Sequence, residues 1–535
     1  MKKKHRHDRH VFLNLILPAV VFGSITGALT AMVVLLYKFC AKYVIGISEK
    51  GYHYLAEEPI WIPLVIVGFL GLSYLYAYFY RRHSNLRGGG IPTSIGILRG
   101  LISFHWFFNL IGVFFLSLTS FLVGLPLGNE GPSVQMGTAI GRGSVYSFAQ
   151  KHRAWDRYSM TGGACAGFAV ATGAPISGIL FALEEAHLLI APMILIVSST
   201  AVTVSYMLSE LLSPVLGLSS SLFHVMDLVT LEATDLWIPL LVGVVIGLFA
   251  VIFLQYYRLV NGFFTQTMKR IRHEYRIFLI LVLTLSVGLV SYSFISTGHH
   301  LIETLFEGRV AIYMLALILL VRSTLTLSAN SNSLTGGIFL PLLALGATLA
   351  SILGEVLQLW FGLGEEYFTI ILVLGIVACI SGMMKTPLTA IVFAVEALSC
   401  YENILSVIIV AMVAYLIPEI FGVESITDRV LEHRIKHIHR DKHIRVYDQF
   451  VVVQEKSFAA GKQVRDICWP ANLFVLSIKR DTDPEAEVDE HGGKTIYEGD
   501  VLHIRYSTID EERTKEELFA IVGEQDDTEQ EVSDV

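Results

Sequence analysis

The 535-residue chain is short of charge: Lys, Arg, Asp and Glu together make up 16% of it, against roughly 25% in an average soluble domain. With 53% hydrophobic residues and a mean hydropathy of +0.60, a mostly soluble protein is excluded. Cysteine is scarce and unordered. The five residues, Cys40, Cys165, Cys379, Cys400 and Cys468, form no CxxC pair and give no sign of a metal site or a disulfide framework. A secretory leader is not expected either. The basic start MKKKHRHDRH leads into an apolar stretch longer than the ~7 to 15 residues of a signal core and without a small-residue cleavage site. Residues 1–11 are therefore expected to stay as a basic cytoplasmic segment. No metal-ligand cluster or nucleophile motif is present, which argues against a membrane enzyme, and no cofactor or nucleic-acid partner is expected.

What the chain has is apolar length. Segments 12–37, 61–80, 237–257 and 277–296 each reach the ~20 residues that cross a bilayer. Others are shorter or broken by Gly and Pro, so roughly ten or more membrane helices are expected, several of them not spanning fully. The texture changes near residue 440. Beyond the basic, histidine-rich HRIKHIHRDKHIR (433–445) there are roughly two acidic residues for each basic one. Strands are predicted at 450–454, 471–480 and 501–507, and a helix at 511–523. The fold class is thus an all-α polytopic membrane protein with a small C-terminal α+β domain in the cytosol. Its expected parts are a membrane part at 12–436, a linker at 437–445, a domain at 446–523 and a disordered acidic tail at 524–535.

The membrane part repeats itself. PISGILFALE (175–184) and PLTAIVFAVE (387–396) match in Pro, Ile, Phe, Ala and Glu at an offset of 387 − 175 = 212. Repeats of this kind, with short interrupted helices, mark transporters whose substrate site lies between two halves near mid-membrane. The glycine clusters GGGIPTS (88–94), GNEGPSV (128–134) and TGGIFLPLLALG (335–346) each precede an apolar helical run and leave backbone N–H groups free at a helix start. Such ends attract anions, and several converging on one point would bind an anion without any full positive charge.

GGGIP, GNEGP, GAPISGILFALEEA and GGIFLPLLALG, in this order, resemble the signature segments of the CLC family of chloride channels and chloride/proton antiporters. The resemblance implies a homodimer in the lipid bilayer, each subunit carrying its own anion path between inverted halves. It implies that Glu130 is the gating glutamate, which competes with the anion until protonated. Glu185 aligns with the glutamate that passes protons from the cytoplasm in the antiporter branch, and Glu184 is its helper or a structural acid. Glu396, the repeat mate of Glu184, is expected to be structural and bonded to backbone amides. The implied anion ligands are Gly89, Gly90, Ile91, Gly131, Ile338, Phe339, Leu340 and Thr427. Two departures stand out. Gly89 replaces the serine that usually holds the central anion, and Asn129 replaces an arginine before the gate. Thr427 falls where a tyrosine is usual, so a wider inner constriction is expected.

Residues 446–523 resemble the RCK C-terminal (TrkA-C) module through GKQVRDI, LFVLSIKR and IYEGDVLHI, which implies regulation by a small nucleotide such as cyclic di-AMP. The family architecture implies a bacterial plasma membrane. The expected activity is chloride/proton antiport. Fluoride/proton antiport or a passive chloride channel remains open, because the serine is also lost in the fluoride branch. Potassium transport, which the C-terminal module brings to mind, lacks the TVGYG-type filter it would need.

Overall fold

Long and short helices alternate through the membrane part, and the reason is the spacing of proline and glycine. The computed structural model describes residues 16–148, 154–187, 192–219, 221–223, 228–438, 445–470, 473–480, 483–487, 492–508, 511–524 and 530–534. Residues 1–11 and most of the expected linker lie outside the described residues. The first half runs α1 (Leu17–Glu57), α2 (Ile62–Arg82), α3 (Ile91–Leu98), α4 (Trp106–Leu122), α5 (Glu130–Phe148), α6 (Asp156–Thr172), α7 (Pro175–Phe181) and α8 (Pro192–Leu212). The same order of lengths returns in α9 (Trp237–Gly262), α10 (His273–Val290), α11 (His299–Glu307), α12 (Ile312–Ser331), α13 (Phe339–Phe361), α14 (Tyr367–Cys379), α15 (Pro387–Ala397) and α16 (Ile404–Ile420). A last helix, α17 (Ile426–Ile438), has no mate. Among the described residues, eight helices are long and apolar enough to cross a bilayer.

The short helices α3, α7 and α15 each carry proline in the first turn, where its fixed φ suits the helix and its missing N–H is no loss. Gly173 and Gly362, in the left-handed region, end α6 and α13. The first apolar stretch differs from expectation. Its helix continues through Lys38 to Glu57, because a lysine favours the helix backbone and finds a partner inside the protein. Lipid-facing surfaces are apolar, as Leu64, Val67, Ile252 and Leu320 show by exposures above 60%. Small residues set the closest packing: a Cβ on Gly137 would lie 2.0 Å from the Gly163 carbonyl oxygen, and one on Gly163 would lie 2.0 Å from that of Gly137.

The C-terminal domain is an antiparallel sheet with one helix. Its strands are β1 (Arg445–Val452), β2 (Leu473–Arg480), β3 (Asp483–Glu487), β4 (Val501–Thr508) and β5 (Gln530–Asp534), in the order β3-β2-β4-β1-β5, with α18 (Glu511–Val522) before β5. Val451, Leu502, Ile504 and Ile478 alternate into a core closed by Leu518 and Val522 of α18. Residues 530–534 of the acidic tail depart from the expected disorder, because β5 pairs with the open edge of β1; residues 525–529 lie outside the described residues. Net charge predicts poor burial, but a strand edge needs only backbone partners.

This domain packs on the start of α6. The Phe458 ring meets Trp155 edge-on at 5.5 Å and Tyr158 at 6.2 Å. The Tyr158 hydroxyl donates to the Asp466 carbonyl at 2.9 Å and accepts from the Cys468 N–H at 2.6 Å. Arg157 donates to the carbonyls of Trp469 and Leu98. One side chain thereby ties the C-terminal domain to the end of α3.

Candidate anion and proton site

Three loops that start helices meet at glycines. Gly128 and Gly337 exchange two backbone hydrogen bonds of 2.7 Å, joining the start of α5 to that of α13 across the repeat. A Cβ on Gly90, before α3, would lie 1.8 Å from the Gly131 oxygen, and one on Gly131 would lie 2.6 Å from the Gly337 Cα. Only hydrogen fits there, so the approach of the three loops depends on glycine. Neither α3 nor α13 has a side-chain N-cap. Their first N–H groups, unsatisfied within a helix, stay available where the dipoles are positive. Gly89, Gly90, Ile91, Gly131, Ile338, Phe339 and Leu340 are all buried around this junction. The Phe339 ring packs edge-on to Phe168 and Phe393, which leaves its backbone as the group that can face an anion.

Glu130 opens α5 at this junction with no solvent exposure, and neither carboxylate oxygen has a well-aligned hydrogen-bond partner. Its surroundings are the backbone N–H groups of Glu130 and Leu340 and the Lys38 ammonium. A Cβ on Gly128 would come 2.3 Å from its Oε2, so the glycine before it makes room for the carboxylate. A buried acid without partners is costly unless it is protonated or displaced.

Glu185 sits on a π-helical turn, Ala182–His187, a distortion that often marks functional positions. It is buried and faces the buried Thr427 hydroxyl, the one side chain within reach of its carboxylate, without a well-aligned hydrogen bond between them. Arg99, at the end of α3, donates to the backbone oxygens of Glu185 at 2.7 Å and Ala186 at 3.2 Å and pairs with Asp428 at 3.2 Å. The structure thus brings Thr427 to Glu185.

The structure directs the Glu184 carboxylate away from Glu185 and toward α15. Its carboxylate accepts from the N–H groups of Leu388 and Thr389 at 2.9 and 2.8 Å and from the Thr389 hydroxyl at 2.5 Å. It caps α15. One residue along a π turn points the other way, which separates the two neighbouring acids. Glu396 does the same for α7, accepting from the N–H groups of Ile176 and Ser177 and the Ser177 hydroxyl, each at 2.8 Å. The structural role expected for Glu396 holds and extends to its mate.

At Gly89 a Cβ would lie 2.6 Å from the Gly336 carbonyl oxygen, so a serine does not fit there without moving backbone. Lys38, Arg99, Arg157 and Arg434 escaped the sequence reading. Lys38 was detectable as a charge in mid-helix; it donates to the Val170 carbonyl at 2.9 Å and lines, with Asn129 and Leu340, a cavity of about 540 Å³ on the far side of the membrane part from the C-terminal domain. The arginines act through contacts distant in sequence. Among the described residues, no group of three or more His, Cys, Asp or Glu is placed to hold a metal ion.

Comparison with known proteins agrees with this geometry. The chain is 26% identical over 426 residues to the H(+)/Cl(-) exchange transporter ClcA of Vibrio parahaemolyticus, covering 78% of this chain and 90% of that one. It is 28% identical to the ClcA of Cronobacter sakazakii, covering 78% and 89%. Its fold is similar to that of a slow cyanobacterial Cl-/H+ antiporter, with a TM-score of 0.69, 22% identity and coverage of 78% and 98%. It is also similar to a CLC-type fluoride/proton antiporter, with a TM-score of 0.57, 20% identity and coverage of 75% and 95%. The sequence profile described as Voltage gated chloride channel matches residues 64–419, more than half of the chain. Bare helix starts at a glycine junction, a multi-pass helical fold and this match lead to one conclusion: the chain belongs to the voltage-gated chloride channel (CLC) family.

Proposed function

We propose that the protein exchanges chloride for protons across a bacterial plasma membrane, with Glu130 as the gate and Glu185 as the proton-transfer acid on the opposite arm of the path. The observation that carries this reading is the fully buried Glu130 carboxylate, held only by backbone N–H groups at the meeting point of bare helix starts. A carboxylate and an anion compete for the same positive ends, and protonation removes the carboxylate from that competition. The Glu185–Thr427 pair supplies a second buried acid, and the ClcA relatives named as H(+)/Cl(-) exchange transporters support the coupling. Fluoride is the second reading, favoured by the missing hydroxyl at Gly89.

The protein acts as a homodimer with one path per subunit. Residues 446–523 serve as a cytoplasmic TrkA-C-like module that responds to a small nucleotide such as cyclic di-AMP. What supports regulation is Arg157, which links the Trp469 carbonyl of the module to the Leu98 carbonyl ending α3. A ligand acts through this link only if it binds two arrangements of the module unequally. In liposomes, an imposed chloride gradient is expected to drive protons uphill, while a potassium gradient alone is not. Chloride flux without proton movement would replace exchange by passive conduction, and proton movement driven better by fluoride would select the second reading.

A further inference from the structure

Beyond Thr427, α17 carries Arg434 into the protein. Its side chain is only 7% exposed, although a guanidinium stays charged at any pH a protein meets. Nη1 donates to the Thr93 hydroxyl in the first turn of α3. Nη2 is buried with no hydrogen-bond partner and lies against Gly88, where any side chain would collide with it. Gly88, at φ +75°, begins the same loop that places Gly89 and Gly90 at the junction.

Beside the guanidinium is a cavity of about 210 Å³ lined by Arg434, Arg87, Tyr80, Thr93, Ser333 and His433, among others. Its charge is one-sided. Arg81 also lines it but is paired with Glu274, which Arg272 shares. Arg87 gives its Nε to the Tyr80 carbonyl at 3.2 Å, and no carboxylate is among the lining residues. Arg276 adds a further positive charge near Arg87. A buried guanidinium facing a second one, with an unused N–H group and no acid, is a strongly unfavourable arrangement unless an anion joins it.

We propose that this cavity is a second anion site, in which Arg434 and Arg87 hold a small inorganic anion of the halide class directly behind the Gly88–Gly90 loop. Resting on the transport reading above, it serves as a staging site on the face that carries the C-terminal domain. It gives the path, from guanidinium groups on α17 and the loop, the side-chain contact that Gly89 cannot offer.

The test is chloride flux in liposomes with chloride varied separately on each face. Arg434→Gln should raise the half-saturating chloride concentration on the C-terminal-domain face by roughly tenfold, the scale of electrostatic concentration in a charged cleft, and by much less on the other face. Arg434→Lys should recover part of the loss. An unchanged half-saturation on that face overturns the proposal. Because a buried arginine variant can fail to fold, wild-type crystals soaked in bromide provide a second measurement. Anomalous signal between Arg434 and Arg87 is expected, and bromide at the glycine junction with none in the cavity overturns the assignment. Wild-type protein without anion flux would instead refute the transport reading, while bromide binding would still decide the cavity.

Discussion

The two halves of the membrane part share a backbone but not a chemistry. Glu184 and Glu396 occupy equivalent positions, and each caps the short helix of the other half through two N–H groups and a hydroxyl. The acids assigned to transport have no such mates. In the register of the Gly128–Gly337 pair, Glu130 corresponds to Phe339, and at the repeat offset Glu185 corresponds to Ala397. Residues kept on both sides of the repeat hold the halves together; residues present on one side only are those proposed to give the path its direction and its proton.

The largest expected effect comes from removing the asymmetric acid at the junction. Glu130→Gln should eliminate chloride-driven proton movement while anion flux persists, since the neutral amide resembles the protonated gate. Proton uptake at the wild-type rate would show that the gate lies elsewhere. Next is Glu185→Gln, expected to slow proton movement at least tenfold more than anion movement, on the scale of losing a positioned proton-transfer group; equal loss of both would make it structural.

The symmetric acids should behave oppositely. Glu184→Gln and Glu396→Gln are each expected to weaken the fold by about 2 kcal/mol, the scale of hydrogen bonds to a charged group, with the ratio of proton to chloride flux intact. Thermal melts in detergent compare them. A Glu184→Gln protein of normal stability but altered coupling would return Glu184 to the proton path and break the comparison.

Smaller effects concern the C-terminal domain. If Arg157 carries its influence to α3, Arg157→Gln and deletion of residues 446–535 should change flux alike, and the double change should add nothing. Additive effects would mean a separate route. The smallest is a pH effect at the domain contact. Burial holds the Lys462 ammonium down to about 8, against a weaker opposing pull from Asp466. Between pH 8 and the ordinary lysine value of about 10.4, the unfolded chain binds more protons than the folded one. Lys462 therefore makes stability rise with pH across that window. Lys462→Met should remove that rise, and identical pH slopes in melts of the two proteins would dismiss it.

Much of the fold was legible in the sequence because it depends on local features. Apolar length predicted the membrane helices, proline and glycine predicted where short ones begin, and the matched segments at 175–184 and 387–396 predicted the repeat. The glycine clusters announced bare helix starts, and Glu130 stood out as the one acid beside them. Glu184 and Glu185 were harder to separate. Adjacent in sequence and identical in type, they diverge only because a π turn aims one at α15 and the other at Thr427.

The sequence by itself determined the class of protein, the repeat and the position of the buried acid proposed as the gate, since hydropathy, backbone freedom and the need to satisfy N–H groups act over a few residues. Tertiary structure alone decided which charges meet. Lys38 comes near Glu130 from α1, Arg157 reaches both Leu98 and Trp469, and Arg434 lies against Gly88 from the far end of the membrane part. The tail strand β5 likewise depends on a free edge more than 80 residues earlier. Such partners are set by how helices and strands pack in three dimensions, and electrostatic energy depends on that distance and burial, not on separation along the chain.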